Sequence, residues 1–171
     1  MLAKEKGFTL VELIMVIALV SILGAFAIGL FSSSSQFTPT TIRDAWINQL
    51  RFTQRQAFLK THLTQPLLLT ITQDSESWFF AISQNGETVD SYEIERSGYT
   101  LKYSNSSFSN ACSALSNLSF PFVLRYNGYG DLVNNLQAPL NINQRFCIDS
   151  NPEKNWCVGP SGYAYGGQCV P

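Results

Sequence analysis

Histidine is all but missing from this chain: among 171 residues, His62 stands alone. A Ser-His-Asp arrangement needs an imidazole base, and the only one falls at an expected helix end, where a cation suits the helix dipole. No Gly-x-Ser-x-Gly, Walker loop, His-Glu-x-x-His or dinucleotide fingerprint appears. The sequence therefore reads as that of a non-enzyme, with no catalytic residues and no cofactor implied. Net charge is scarce as well, at −1, which argues against a general attraction to DNA or acidic lipid. The four cysteines, Cys112, Cys147, Cys157 and Cys169, include no Cys-x-x-Cys, and with a single histidine they do not suit zinc. The acidic residues Asp74, Glu76, Glu87, Asp90, Glu93 and Glu95 are scattered over expected turns and strands. Asp131 and Asp149 are the calcium candidates, but no Asp-rich loop joins them, so no metal is expected.

Charge is also missing from one whole stretch. Between Phe8 and Ile42 only Glu12 is ionisable. From residue 8 to residue 31 the chain is almost continuously apolar, long enough as a helix to cross the roughly 30 Å core of a bilayer. A carboxylate inside such a helix costs on the order of 2.5–3.5 kcal/mol even on the gentler insertion scale, so Glu12 calls for a purpose. Lys4 and Lys6 precede the run. By the positive-inside rule they stay cytoplasmic and the remainder is exported. No Ala-x-Ala-type site follows the run, so an ordinary secretory signal is excluded. Export to an oxidising compartment fits four cysteines closing as two disulfides, for which three connectivities exist; a bridge from Cys112 to the C-terminal third is favoured.

These residues carry a resemblance. Gly7-Phe8-Thr9-Leu10-Val11-Glu12-Leu13-Ile14, after a short basic leader, is similar to the class III signal of type IV prepilins and type II secretion pseudopilins. The resemblance implies cleavage after Gly7 by an inner-membrane prepilin peptidase and N-methylation of Phe8. Glu12 becomes the fifth mature residue, where the family has its glutamate. It also implies as partners other pilin or pseudopilin subunits, the peptidase and an inner-membrane assembly platform. Physically, cleavage turns the Phe8 nitrogen into a cationic amine that Glu12 of a neighbour can meet. At about 4 Å and an effective dielectric near 20, the pair gains roughly 4 kcal/mol before desolvation. Its use is register, because a misplaced subunit leaves both charges unpaired in an apolar core. The family often has proline where this chain has Gly29, and a soft joint is expected near Gly24–Gly29.

The expected organisation is a leader over residues 1–7, a membrane-spanning or filament-core helix over 8–31, an amphipathic continuation over 32–63 and a periplasmic β-rich head over 64–171. The head has about 140 residues or fewer to work with, a single small domain. Thr38-Pro39 suits a helix start. Ile42, Trp46, Leu50, Ala57 and Phe58 fall near one helix face, with Arg43, Arg51, Arg55 and Lys60 largely on a solvated one. After Pro66 the period changes to two, giving strands over 67–72, 78–83, 88–95 and 99–103, with turns at Asn85-Gly86 and Ser97-Gly98. Residues 104–117 read as a surface loop, 120–126 and 140–148 as strands, and the tail as a cysteine-bearing hairpin. The fold class is α+β: a pilin-like long helix packed on an antiparallel sheet, with disulfides in the C-terminal region. The helix and strand order resembles minor pseudopilins of the type II secretion H class and related minor type IV pilins, and the leader, single-head size and cysteine-bearing tail are similar to those of minor pilins of mannose-sensitive-haemagglutinin-type pili. That implies a minor subunit that primes or assembles a filament. Two other readings are a minor pilin whose head binds DNA or a host surface, and a signal-anchored periplasmic enzyme.

Overall fold

Period and punctuation account for most of the fold. The computed structural model describes residues 10–31, 38–60, 65–105, 111–149 and 151–170. The chain divides into two compact units, Met1–Gln36 and Phe37–Pro171. The first contains helix α1, Leu10–Phe31, which runs through both Gly24 and Gly29. The second is the head. It begins with helix α2, Thr38–Leu59, in which Ile42, Trp46, Ile47, Leu50 and Ala57 recur at helical spacing and are buried.

The strands that follow are β1 (Leu67–Gln73), β2 (Ser77–Gln84), β3 (Glu87–Glu95), β4 (Leu101–Ser104), β5 (Ser116–Asn117), β6 (Phe122–Tyr126), β7 (Gln144–Ile148), β8 (Asn151–Val158) and β9 (Ala164–Gly166). They make two antiparallel sheets, not the one expected: β3-β2-β1-β6 and β5-β4-β7-β8-β9. The hairpin turns use the residues that tolerate positive φ. Asn85 and Gly86 lie at φ 52° and 85°, and Ser97 and Gly98 at 47° and 77°. In the β1–β2 turn, the Asp74 carboxylate accepts the backbone N–H groups of Glu76 (2.8 Å) and Ser77 (2.7 Å). These bonds hold the Asp74 pKa below the usual carboxylate value.

The core is aromatic. Trp46 of α2 is fully buried and touches both sheets: Trp78 and Phe80 of β2 at centroid distances of 5.6 and 4.7 Å, and Phe146 of β7 and Trp156 of β8 at 5.9 and 5.5 Å. One side chain thus joins the helix to two sheets. A bridge from Tyr103 of β4 to Phe122 of β6, 4.9 Å apart, closes the seam between the sheets. Burial pushes the Tyr103 and Tyr126 pKa values up.

Several expectations need correction. Phe58 is half exposed, because α2 ends one residue later and only the loop at Gly130 reaches its ring. Residues 104–117 are not simply loop: Cys112–Ala114 form a 3₁₀ turn, Ser116–Asn117 pair with β4, and Cys112 is buried. The strand expected over 140–148 starts only at Gln144, since Asn134 first folds residues 134–138 into a tight turn, its side-chain oxygen accepting the N–H groups of Leu136 and Ala138. The strands expected over 99–103 and 120–126 likewise begin at Leu101 and Phe122.

Candidate functional site

Helix α1 has no preferred face. Ten large apolar side chains between Leu10 and Ile22 are each about half exposed or more within this chain, from Val16 at 48% to Leu10 at 75%. A helix apolar all round belongs inside something, a bilayer or a protein core. At about 1.5–3 kcal/mol for each side chain buried, covering these ten is worth roughly 15–30 kcal/mol. That outweighs the few kcal/mol that one carboxylate costs. The carboxylate, Glu12, sits in the first turn, where the helix dipole favours negative charge. Ser21 donates its hydroxyl proton to the Ile17 carbonyl at 2.7 Å, so its polar group is satisfied within the helix and suits apolar surroundings. Among the described residues no helix is long and apolar enough to cross a membrane. The side chains described in α1 cover residues 10–22, about 20 Å of helix at 1.5 Å per residue, short of the bilayer core. Gly7 and Phe8, expected to flank the cleavage site, lie outside the described residues, as does His62.

Residues 2–28 match the family model of the prokaryotic N-terminal methylation motif. The amino terminus is a type IV pilin-like class III signal. No curated protein and no solved structure matches the chain significantly. The α+β head, a helix on antiparallel sheets with two disulfides in the C-terminal region, is arranged as in the pilin fold. A motif of this kind implies recognition by a prepilin peptidase and association with other pilin subunits.

The pilin-like head pairs its four cysteines as Cys112–Cys147 and Cys157–Cys169, with Cα–Cα distances of 5.9 and 5.4 Å. The first ties the 3₁₀ turn to β7, and the second ties β8 to the tail. Asp149 forms an ion pair with Lys102 at 2.8 Å, and the Asp131 carboxylate accepts from the Asn127 side chain at 3.4 Å. Among the described residues no three His, Cys, Asp or Glu side chains gather as a metal site.

The α2 cations are not an open stripe, which corrects their placement on a solvated face. Arg51 donates from Nε to the Ala164 carbonyl at 2.7 Å, and its guanidinium lies 4.7 Å from the Tyr163 ring centroid. Gln54 donates to the Ser161 carbonyl at 2.6 Å, Lys60 to Gln84 at 2.5 Å, and Arg43 pairs with Asp44 at 2.8 Å. The Arg51 and Gln54 contacts dock α2 onto the 159–164 turn, and Arg55 is an exposed cation of the helix.

The opposite flank of α2 is open. There a groove of about 670 Å³ runs between the helix and β3, lined by Ala45, Gln49, Phe52 and Arg55 from α2 and Tyr92 from β3. Gln49 is 8% exposed and, among the described residues, its Nε2 has no hydrogen-bond partner. An unmet buried donor costs about 1–3 kcal/mol, so a native chain retains few of them. Strand β3 is the outermost of its sheet, and all nine of its residues except Ile94 are exposed. Sequence reasoning missed this groove. It took only apolar residues of α2 as inward-facing and passed over Gln49, three positions beyond Trp46 on the same helix.

Proposed function

We propose that this protein is a structural subunit, a minor pilin or pseudopilin, that helps prime or assemble a type IV pilus or type II secretion pseudopilus. The observation that carries the reading is α1: an apolar surface on every side, one carboxylate in its first turn, and the N-terminal methylation motif covering its beginning. In this account the precursor crosses the inner membrane once, over residues 8–31, with its disulfide-bonded head in the periplasm. The peptidase cuts after Gly7, Phe8 is methylated on its new amine, and the assembly platform draws the subunit into a filament. There the ten apolar side chains are covered by neighbouring helices instead of lipid. Apolar burial is equally good in either medium, so it supplies adhesion but no stagger. The stagger comes from Glu12 of one subunit meeting the Phe8 amine of another. The subfamilies this reading favours are the H class of minor pseudopilins and the minor pilins of mannose-sensitive-haemagglutinin-type pili.

The test is Glu12→Gln, which keeps size and removes charge. Sheared filaments should contain at least about tenfold less of the variant, as expected when an interaction worth 1.4 kcal/mol or more is lost. Processing to Phe8 should continue. Normal incorporation of the variant contradicts the reading. The engaged α2 cations weigh against a head that captures nucleic acid, since Arg43, Arg51 and Lys60 already have partners in the chain.

A further inference from the structure

The free edge of β3 and the open flank of α2 meet at one groove, and two features there look outward from this chain. First, β3 is nine residues long and among the described residues pairs on one side only, with β2. An unpaired edge of that length is a template for another strand. Second, Phe52 and Tyr92 line the groove at 37% and 51% exposure, two aromatic side chains open to a partner.

Charge selects the occupant. Register places Glu93 opposite Phe79 and Glu95 opposite Ser77, on the sheet face turned away from α2, while Tyr92 and Asp90 share the inner face with Phe80 and Ile82. Pairing β3 antiparallel with the same strand of a second copy, centred on Ser91, would set Glu87 beside Glu95, which destabilises a strand pair. A strand with Lys or Arg beside Glu93 and Glu95 meets no such penalty. The acids thus repel this chain's own edge and admit a complementary one.

We propose that the groove between α2 and β3 receives an extended segment of a different pilin-like subunit, added as a fifth strand to the edge of β3. Its outward side chains are basic and lie beside Glu93 and Glu95. An inward apolar side chain packs on Phe52 and Tyr92. The inference rests on the filament reading above.

Hydrogen exchange measured on the full, processed chain tests it, comparing sheared filaments with subunits extracted into detergent. On an antiparallel edge strand, alternate amides face outward. These β3 amides should exchange freely in the extracted subunit and slowly in the filament. Tyr92→Lys and Phe52→Lys should each lower the share of the chain in filaments at least about tenfold, the effect of removing an interface anchor. Processing at Phe8 and the melting temperature should stay unchanged, which separates a lost interface from a misfolded head. Equal exchange in both states, or normal incorporation of both variants, overturns the proposal while leaving the filament reading intact. Protection along α2 without the alternate pattern on β3 means a helix lies in the groove and also overturns it. So does a disulfide-linked homodimer through Ser91→Cys, which would make the occupant a second copy. A chain absent from filaments altogether overturns both readings.

Discussion

Replacing Trp46 by alanine removes the α2 side chain that contacts aromatic residues of both sheets. It is fully buried, and four aromatic rings lie within 6 Å of its own by centroid distance. A Trp→Ala change at such a place costs about 3–5 kcal/mol. Its two edge-on partners, Trp78 and Phe80, add to the loss, at about 0.5–1.5 kcal/mol for each pair. One term opposes. The Trp46 indole N–H has no partner among the described residues, and removing an unmet buried donor returns about 1–3 kcal/mol. The net expectation for Trp46→Ala is a loss of about 4 kcal/mol, a large part of the 5–15 kcal/mol that holds a typical domain. For a chain of this length that lowers Tm by about 8–16 °C. Trp46→Phe separates the terms. It keeps a ring between the sheets and deletes the unmet donor, so it should fall within about 1 kcal/mol of wild type. Thermal unfolding of the full chain in a mild detergent, followed by near-UV circular dichroism, measures both. If Trp46→Ala melts with wild type, this residue does not join the sheets. If Trp46→Phe costs as much as alanine, the indole N–H is satisfied and the opposing term is wrong.

Three further outcomes follow from particular contacts. Tyr126 is fully buried with no protein partner for its hydroxyl, so Tyr126→Phe should hold or raise Tm; a drop of several degrees would mean the hydroxyl is bonded. Its folded pKa lies above the unfolded value near 10, so the wild-type head keeps this contribution below pH 10 and loses it as pH rises further, a loss that urea titrations of the phenylalanine variant should show reduced. Breaking Cys112–Cys147 by paired alanine substitution should cost more than breaking Cys157–Cys169, about 4 against about 3 kcal/mol in the chain-entropy account, because it closes 35 residues against 12; the reverse order in urea melts would reject that account. Asp74 has its folded pKa below the unfolded one, so its contribution is full above about pH 4 and fades on acidification; Asp74→Asn should flatten the acid limb of stability, and an unchanged limb would contradict the turn bonds as its cause.

What the sequence revealed and what it hid divide along physical lines. The amino-terminal signal is contiguous, so residues 7–14 could be read without any fold. Helix α2 and strands β1 and β2 were legible because one face of each is covered and the hydrophobic period survives, and β3 because Asn85-Gly86 marks the turn before it. The second sheet hid itself. All five residues of β7 are buried, Gln144 and Arg145 among them, so the alternation that reveals a strand is gone. Cysteine pairing was closed to sequence reasoning because it depends on how β4, β7 and the 3₁₀ turn align in space. Arg51 looked solvated since its partners, Tyr163 and the Ala164 carbonyl, are more than a hundred residues away. The groove at Gln49 was hidden for a similar reason, since its other wall is a strand some forty residues on.

The most direct measurement is mass spectrometry of the amino terminus of the chain recovered from sheared cell-surface or periplasmic filaments. The account predicts a terminal peptide that begins at Phe8, carries a methyl group on its amine and retains Glu12 as its fifth residue. A chain that begins at Met1, or past the apolar run, or never leaves the membrane fraction would contradict it.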